Sequence, residues 1–232
     1  FIKGSGVDLD QFCYTLEPED GKIKVMLTAR MIVEKGVFLL TEAAERLRSK
    51  YEGKVQFLLV GGLDDHPGAI TKEQLEAVCD GEYIQWLGYR TDVRDLLKQC
   101  HIMALSGGFS AGDEPDGSGK FIANVLNNKD VADAIHALLD RGGLMLGICN
   151  GFQALVKSGL LPYGRLGMVT SESPTLFRND INRHISQIVS TRVGTTASPW
   201  LKSFEVGDIH SIAVSHGEGK FVVSDVMAEQ LF

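Results

Sequence analysis

At 232 residues with 44% hydrophobic composition, the chain can bury a sizeable core, and disorder by composition is excluded. A formal net charge of −7 offers no basic field to a nucleic-acid backbone or an anionic membrane surface, so neither is expected as a partner. Cys13, Cys79, Cys100 and Cys149 form no CxxC pair and have no His at metal-ligand spacing, which predicts a reduced, cytoplasmic chain with no metal and no cofactor; no apolar run approaches the roughly 18 residues of a membrane span.

From Lys22 to about Ala154, short apolar runs alternate with amphipathic stretches, the rhythm of βαβ units around a parallel sheet. Strands are predicted at 23–29, 55–61, 83–87, 101–105 and 143–148. Between them, 37–50 reads as a helix whose inward face carries Phe38, Leu39, Ala43 and Leu47, 71–79 as a second, and 92–99 as a third capped by Thr91-Asp92. After Lys157 the glycines 159, 164 and 167 and Pro162 break the rhythm, and 184–193 followed by 209–214 reads as antiparallel or edge strands. The expected fold is a three-layer, Rossmann- or flavodoxin-like α/β sandwich with a mainly parallel central sheet and an antiparallel C-terminal extension. With no Pro/Gly/Ser linker before 101–105, one continuous sheet is expected, and unpaired edge strands make a homodimer an expectation too.

Gly4-Ser5-Gly6 near the start, and the basic pair Arg30 and Lys35 just past the end of the first strand, sit where α/β sheets bind ligands. Such a pair can neutralise a diphosphate, although Arg and Lys after a strand are also common surface charge. The ordered pieces GSGVD, LTARMIVEKGV, FLLVGG and IQWLGYRTDVRDLLKQCHIMAL change the reading, because together they resemble the donor-binding domain of retaining nucleotide-sugar glycosyltransferases over about residues 2–105. By that resemblance Gly4 and Gly6 approach a sugar nucleotide, Arg30 and Lys35 hold its phosphates, and Gly88-Tyr89-Arg90 lies near the base. The family continues from the strand matching HIMAL into a Pro-Ser loop and two glutamates eight apart. Here Ser106-Gly107-Gly108 follows instead, so weak nucleotide or sugar-nucleotide binding is the most this half is expected to keep.

In LMLGICNGFQAL, residues 144–155, a buried strand runs into Gly147-Ile148-Cys149-Asn150-Gly151 and then a helix start. Small residues on both sides of a nucleophile permit the sharp turn that lifts a thiol off the sheet edge, and a following helix N-terminus favours the thiolate. Gly107 and Gly108, after another strand, offer unencumbered N–H groups for an oxyanion; taken alone they read as an ordinary tight turn. GGFSAGDEPDGSGKFIA at 107–123, GLMLGICNGFQALVKSGLLPYG at 143–164 and AVSHGEGKF at 213–221 together resemble the glutaminase domain of phosphoribosylformylglycinamidine synthases over roughly 106–232. That resemblance makes Cys149 the nucleophile on a glutamine amide and Gly107 and Gly108 the oxyanion hole. It puts Gln153 near the bound glutamine and His216 in a loop near the glutamine pocket and the synthetase partner.

The family's catalytic His and Glu come from a later His-x-Glu motif that these 232 residues do not contain, so a hybrid with little or no catalysis is the first expectation. A class I glutamine amidotransferase acting with a partner is the second, and a nucleotide-binding module the third. His184 and His210 are expected to be structural or solvent-facing.

Overall fold

The computed structural model describes residues 21–108, 113 and 117–231. Gly4, Gly6 and Cys13 lie outside them, as do Phe109 and Ser110. Five of the apolar runs form strands β1 (Ile23–Thr28), β2 (Val55–Val60), β3 (Ile84–Trp86), β4 (Ile102–Leu105) and β5 (Leu144–Gly147). They pair in parallel as one sheet in the order β3-β2-β1-β4-β5. Thr28 lies level with Val60 and with Leu105, and Leu105 with Gly147, so the carboxyl ends of β2, β1, β4 and β5 form one even edge. The order reverses at β1, and the crevice beside β1 and β4 is where open α/β sheets hold ligands.

The period-2 pattern divides the core between the two faces. Met26, Leu58, Val60, Met103 and Leu105 point to one face and pack under α3 (Val93–Leu97), α4 (Lys120–Leu126), α5 (Lys129–Asp140) and α6 (Asn150–Lys157), through Leu97, Leu126, Ile135, Leu138 and Ala154. Leu27, Phe57, Leu59 and Ile84 point to the other, under α1 (Val37–Tyr51) and α2 (Lys72–Val78), through Val37, Ala44 and Leu75. Each fully buried Leu or Ile in these clusters contributes about 1.5–3 kcal/mol by leaving water. This is the α/β sandwich read from the sequence, with β1 to β4 drawn from one predicted half and β5 from the other.

The inward face of α1 differs from the prediction. Val37, Thr41 and Ala44 are buried, at i, i+4 and i+7, whereas Leu39 is 72% exposed and Ala43 and Leu47 face solvent. Gly36, with φ 76°, ends the preceding 3-10 turn and starts the helix one residue before Val37, and that turn fixes which stripe meets the sheet. At α2 the predicted start is held by a capping box between Thr71 and Gln74.

Just ahead of β4 and β5 the end of α5 is fastened to the end of α3. The Arg141 guanidinium donates to the Leu97 and Cys100 carbonyl oxygens, both at 2.6 Å, which satisfies carbonyls that a helix end leaves open.

Beyond α6 come α7 (Leu160–Tyr163), β6 (Thr175–Phe177), β7 (Ile185–Arg192), β8 (Ile209–His216), β9 (Lys220–Val222) and α8 (Asp225–Leu231). β7 and β8 form the expected antiparallel ribbon, from Ile185 opposite His216 to Arg192 opposite Ile209, and β6 pairs antiparallel with β9. His184 and His210 are exposed: the first bonds Ser215 and the second packs edge-on against Phe204. No helix among the described residues is long and apolar enough to cross a membrane.

Candidate functional site

The site begins with how closely α6 is laid against the sheet. A Cβ built on Gly147 falls 2.8 Å from the Phe152 nitrogen and 2.7 Å from a Leu155 methyl, and one on Gly151 collides with the Leu105 carbonyl group. Only glycine at both positions lets the helix start directly over the ends of β4 and β5. Between them the chain reverses through Cys149, whose φ of 54° and ψ of −113° is a costly conformation for a residue with a Cβ. Ile148 N–H donates to Leu105 O and Gly151 N–H to Ile148 O, fixing the turn from both sides. Cys149 is thereby left exposed at the sheet edge, ahead of the first N–H groups of α6. The other described cysteines differ: burial pushes the Cys100 thiol up to about 11, and burial followed by Asp80 pushes Cys79 up as well.

The loop leaving β4 meets this turn. A Cβ on Gly107 would stand 2.7 Å from the Cys149 Cβ and 3.3 Å from its Sγ, so glycine is required for the approach. Both loop carbonyls are held from below. Lys35 Nζ donates to Gly107 O at 2.5 Å, and Asn150 Nδ2 donates to Gly108 O at 2.9 Å and to Asp113 Oδ2 at 3.1 Å. Asp113 in turn accepts Phe121 N–H at 2.9 Å, anchoring the start of α4. With their carbonyls occupied, the Gly107 and Gly108 N–H groups donate to no described residue.

Lys35 lies along the bare face of Gly108, where a Cβ would come within 2.5 Å of its Nζ. It is half-buried, and burial, followed by the Arg30 guanidinium, holds its ammonium below the usual lysine range against the opposing pull of Cys149, Asp113 and Glu34. Arg30 itself turns to Asp64 at 3.2 Å. The basic pair expected on a diphosphate therefore has protein partners, and Lys35 reaches the second half of the chain.

Gln153 is buried, and its Nε2 donates to the Glu218 backbone oxygen at 2.8 Å. Glu218 Oε2 accepts Ser118 N–H at 2.7 Å, so the 216–219 loop is tied to both α6 and the start of α4. Next to this tie is a cavity of about 280 Å³ lined by Gly117, Lys157, Thr175, Arg178 and Glu218 among others; Cys149 does not line it. His216 Nδ1 pairs with Asn179 Oδ1 at 3.0 Å, and its ring occupies the space beside Gly219. Among the described residues no histidine nitrogen bonds Cys149, and no group of three or more His, Cys, Asp or Glu side chains is placed to hold a metal ion.

Cys149 and Gly107 are thus in contact, with Gly108 next in the loop beside Lys35, while Gln153 and the His216 loop are joined to each other. In Gly88-Tyr89-Arg90, Gly88 O accepts the Gly61 N–H just past the end of β2, Tyr89 is exposed and Arg90 pairs with Asp92. Sequence reasoning missed Asn150, Asp113, Glu218 and Asn179 as the framework of the site. Their signal was position, since three of them fall inside the quoted motifs, but a buried side-chain acceptor has no sequence period to reveal it.

Comparison with known proteins bears on both halves. Residues 76–232 match the family model of the CobB/CobQ-like glutamine amidotransferase domain, and residues 22–112 that of glycosyl transferases group 1. The two matches overlap over residues 76–112, from within α2 to beyond β4. Phosphoribosylformylglycinamidine synthase subunit PurQ of Koribacter versatilis is 33% identical over 135 residues, covering 58% of this chain and 52% of that protein. The subunit of the same name from Rhodospirillum rubrum is 35% identical over 130 residues, covering 56% and 50%. The chain spans about half the length of these curated relatives. The solved structure of PurLQS from Thermotoga maritima superposes with a TM-score of 0.54 at 22% identity, over 88% of this chain and 71% of that one, and shares the fold.

Proposed function

This chain belongs to the CobB/CobQ-like glutamine amidotransferase domain family, and on that premise we propose that it carries a glutaminase-type site, with Cys149 as nucleophile toward a side-chain carboxamide and Gly107 and Gly108 N–H as oxyanion donors. The observation that carries the reading is the turn at Cys149: a thiol held at a strained φ on the sheet edge, against a loop whose two N–H groups donate to no described residue. Donors fixed before reaction cost no reorganisation when the carbonyl oxygen becomes an oxyanion, and one such donor is worth about 2.7–4 kcal/mol of barrier.

In this reading residues 1–105 are glycosyltransferase-like βα units that complete the sheet, and residues 106–232 are the amidotransferase-like part. The chain is a hybrid in which the loops around one sheet edge have changed identity while the layers persist. The relatives are named as subunits of a synthase, and the reading includes a partner subunit that consumes the ammonia. Turnover by this chain alone is low, because acyl transfer from a thiol needs a group to protonate the departing amine and activate water, and no described imidazole is bonded to Cys149.

The test is labelling of Cys149 by a diazoketone analogue of glutamine, with and without competing glutamine, together with an ammonia-release assay. Glutamine-protected labelling, and slow ammonia release that disappears in Cys149→Ala, are expected. Ammonia release that persists in Cys149→Ala, or labelling that glutamine does not slow, would refute the assignment.

A further inference from the structure

The loop beside Cys149 is a diglycine, and part of what holds it comes from the other half of the chain. Glycine ranges over more backbone conformations than any other residue, so Gly107-Gly108 by itself leaves the peptide between the two free to turn over. Such a turn would put the Gly107 carbonyl where the Gly108 N–H had been, exchanging a donor to an oxyanion for a group that repels one. In the fold, Lys35 Nζ holds the Gly107 oxygen at 2.5 Å. We propose that Lys35 is the positioning residue of the oxyanion site, fixing the Gly107–Gly108 peptide with its N–H turned to the substrate carbonyl at Cys149. The proposal rests on the glutaminase-type reading of Cys149 and involves no proton transfer by Lys35.

Three observations carry it. The peptide is planar and trans, so its oxygen and its N–H point in opposite directions, and a donor on Gly107 O sends the Gly108 N–H the other way. Next, Lys35 reaches that oxygen past Gly108 itself. A Cβ on Gly108 would stand 2.5 Å from Nζ and 3.3 Å from Cε, so the bare Cα and the bond to Gly107 O go together. Lastly, the lysine is itself anchored. It ends the 3-10 turn Val33–Lys35, in which Val33 N–H donates to Gly68 O at 2.9 Å and Lys35 N–H to Ile32 O at 3.1 Å, while Ile32 is bridged to Ala69.

From the other side Asn150 Nδ2 holds the next carbonyl, Gly108 O, at 2.9 Å. Two successive carbonyls are thus fixed, one from each half of the chain, and the glycine N–H groups donate to no described residue. A lysine Nζ suits the task, because a charged donor binds a carbonyl more strongly than a neutral one and polarises the peptide, which makes its N–H a better donor in turn.

A pair of reagents isolates the oxyanion. With L-γ-glutamyl-p-nitroanilide the Cys149 thiolate adds to the γ-carbonyl carbon and the carbonyl electrons move onto oxygen. They return as the C–N bond breaks, and p-nitroaniline leaves with a proton from water, giving one burst of colour per chain. Iodoacetamide is attacked at a saturated carbon, loses iodide and forms no oxyanion. Both reactions start from the same thiolate, so its protonation cancels in the ratio of burst rate to alkylation rate. That ratio is measured on the full chain for wild type, Lys35→Met and Lys35→Arg, each shown by its melt to be folded; if Lys35→Met does not fold, Lys35→Ala takes its place. The ratio is expected to fall about a hundredfold in Lys35→Met, the lower end of what loss of one oxyanion donor costs, and to stay close to wild type in Lys35→Arg, which keeps a charged donor. An unchanged ratio in Lys35→Met, or a fall as deep in Lys35→Arg, overturns the proposal. Wild-type Cys149 that takes iodoacetamide but gives no burst would instead defeat the glutaminase-type reading beneath it.

Discussion

Replacing Gly151 by Ala puts a methyl group where α6 crosses the end of β4. The added Cβ would lie inside contact distance of the Leu105 carbonyl oxygen, 2.9 Å from its carbon and 3.0 Å from the Leu105 Cβ. None of these atoms is the end of a flexible side chain, so relief requires α6 to lift off the sheet. Overpacking of this kind costs typically 1–3 kcal/mol, and with backbone as the obstacle we take about 3. Alanine recovers at most about 1 kcal/mol through helix propensity, less in a first turn. A net loss of about 2–3 kcal/mol remains, which for a domain of this size lowers the melting temperature by about 4–12 °C. The same lift withdraws Cys149 from Gly107, so iodoacetamide labelling of Cys149 changes together with the melt. Gly62→Ala is the control, since its Cβ meets only the Tyr89 Cβ, at an ordinary 3.5 Å. A Gly151→Ala protein melting within about 1 °C of wild type would show that α6 has slack against β4 and that the Cys149 turn is not fixed by this packing.

Cys149→Gly should raise the melting temperature by a few degrees while Cys149→Ala does not, because relief of a strained φ, about 1–3 kcal/mol, exceeds glycine's entropic cost of about 0.5–1 kcal/mol; equal melts would remove strain from the account of the turn. Asp80 Oδ1 accepts the N–H groups of Glu82, Tyr83 and Ile84 ahead of β3. Burial alone would raise its carboxyl, but those N–H groups and Arg48 bring it down from 3.8 to about 2. A depressed carboxylate stabilises the fold above its unfolded value and loses that contribution as pH falls, here between about 4 and 2. Urea titrations of Asp80→Asn across that window should therefore show a shallower acid loss than wild type, and an identical acid limb would count against the network.

The layers were legible in the sequence because burial on both faces of a parallel sheet leaves continuous apolar runs such as VQFLLV and LMLG, and the runs fell where β2 and β5 stand. The turn at Cys149 was legible in part for a local reason: glycines at 147 and 151 flank a cysteine at a strand-to-helix junction, and the exclusion at Gly147 acts against Phe152 and Leu155, near neighbours in the chain, whereas that at Gly151 acts against the distant Leu105. The inward stripe of α1 was not, since the helix starts where predicted but packing on the sheet buries Val37, Thr41 and Ala44, a choice that the helix's own residue pattern does not specify. Gln153 and His216 were placed at a ligand by resemblance, and in the fold they hold one loop to α6 and to Asn179 through hydrogen bonds spanning 65 and 37 residues.

What the sequence alone determined is whatever depends on periodicity and on contacts a few residues apart: the α/β layers, the five parallel strands, the antiparallel ribbon and the exposed thiol. Only the tertiary structure decided which charges meet. Lys35 and Gly107 are 72 positions apart and acquire a common neighbourhood because β1 and β4 are adjacent in the sheet and end at the same level. A hydrogen bond between side chain and distant backbone is set by strand order and register, which no local pattern of residue types encodes.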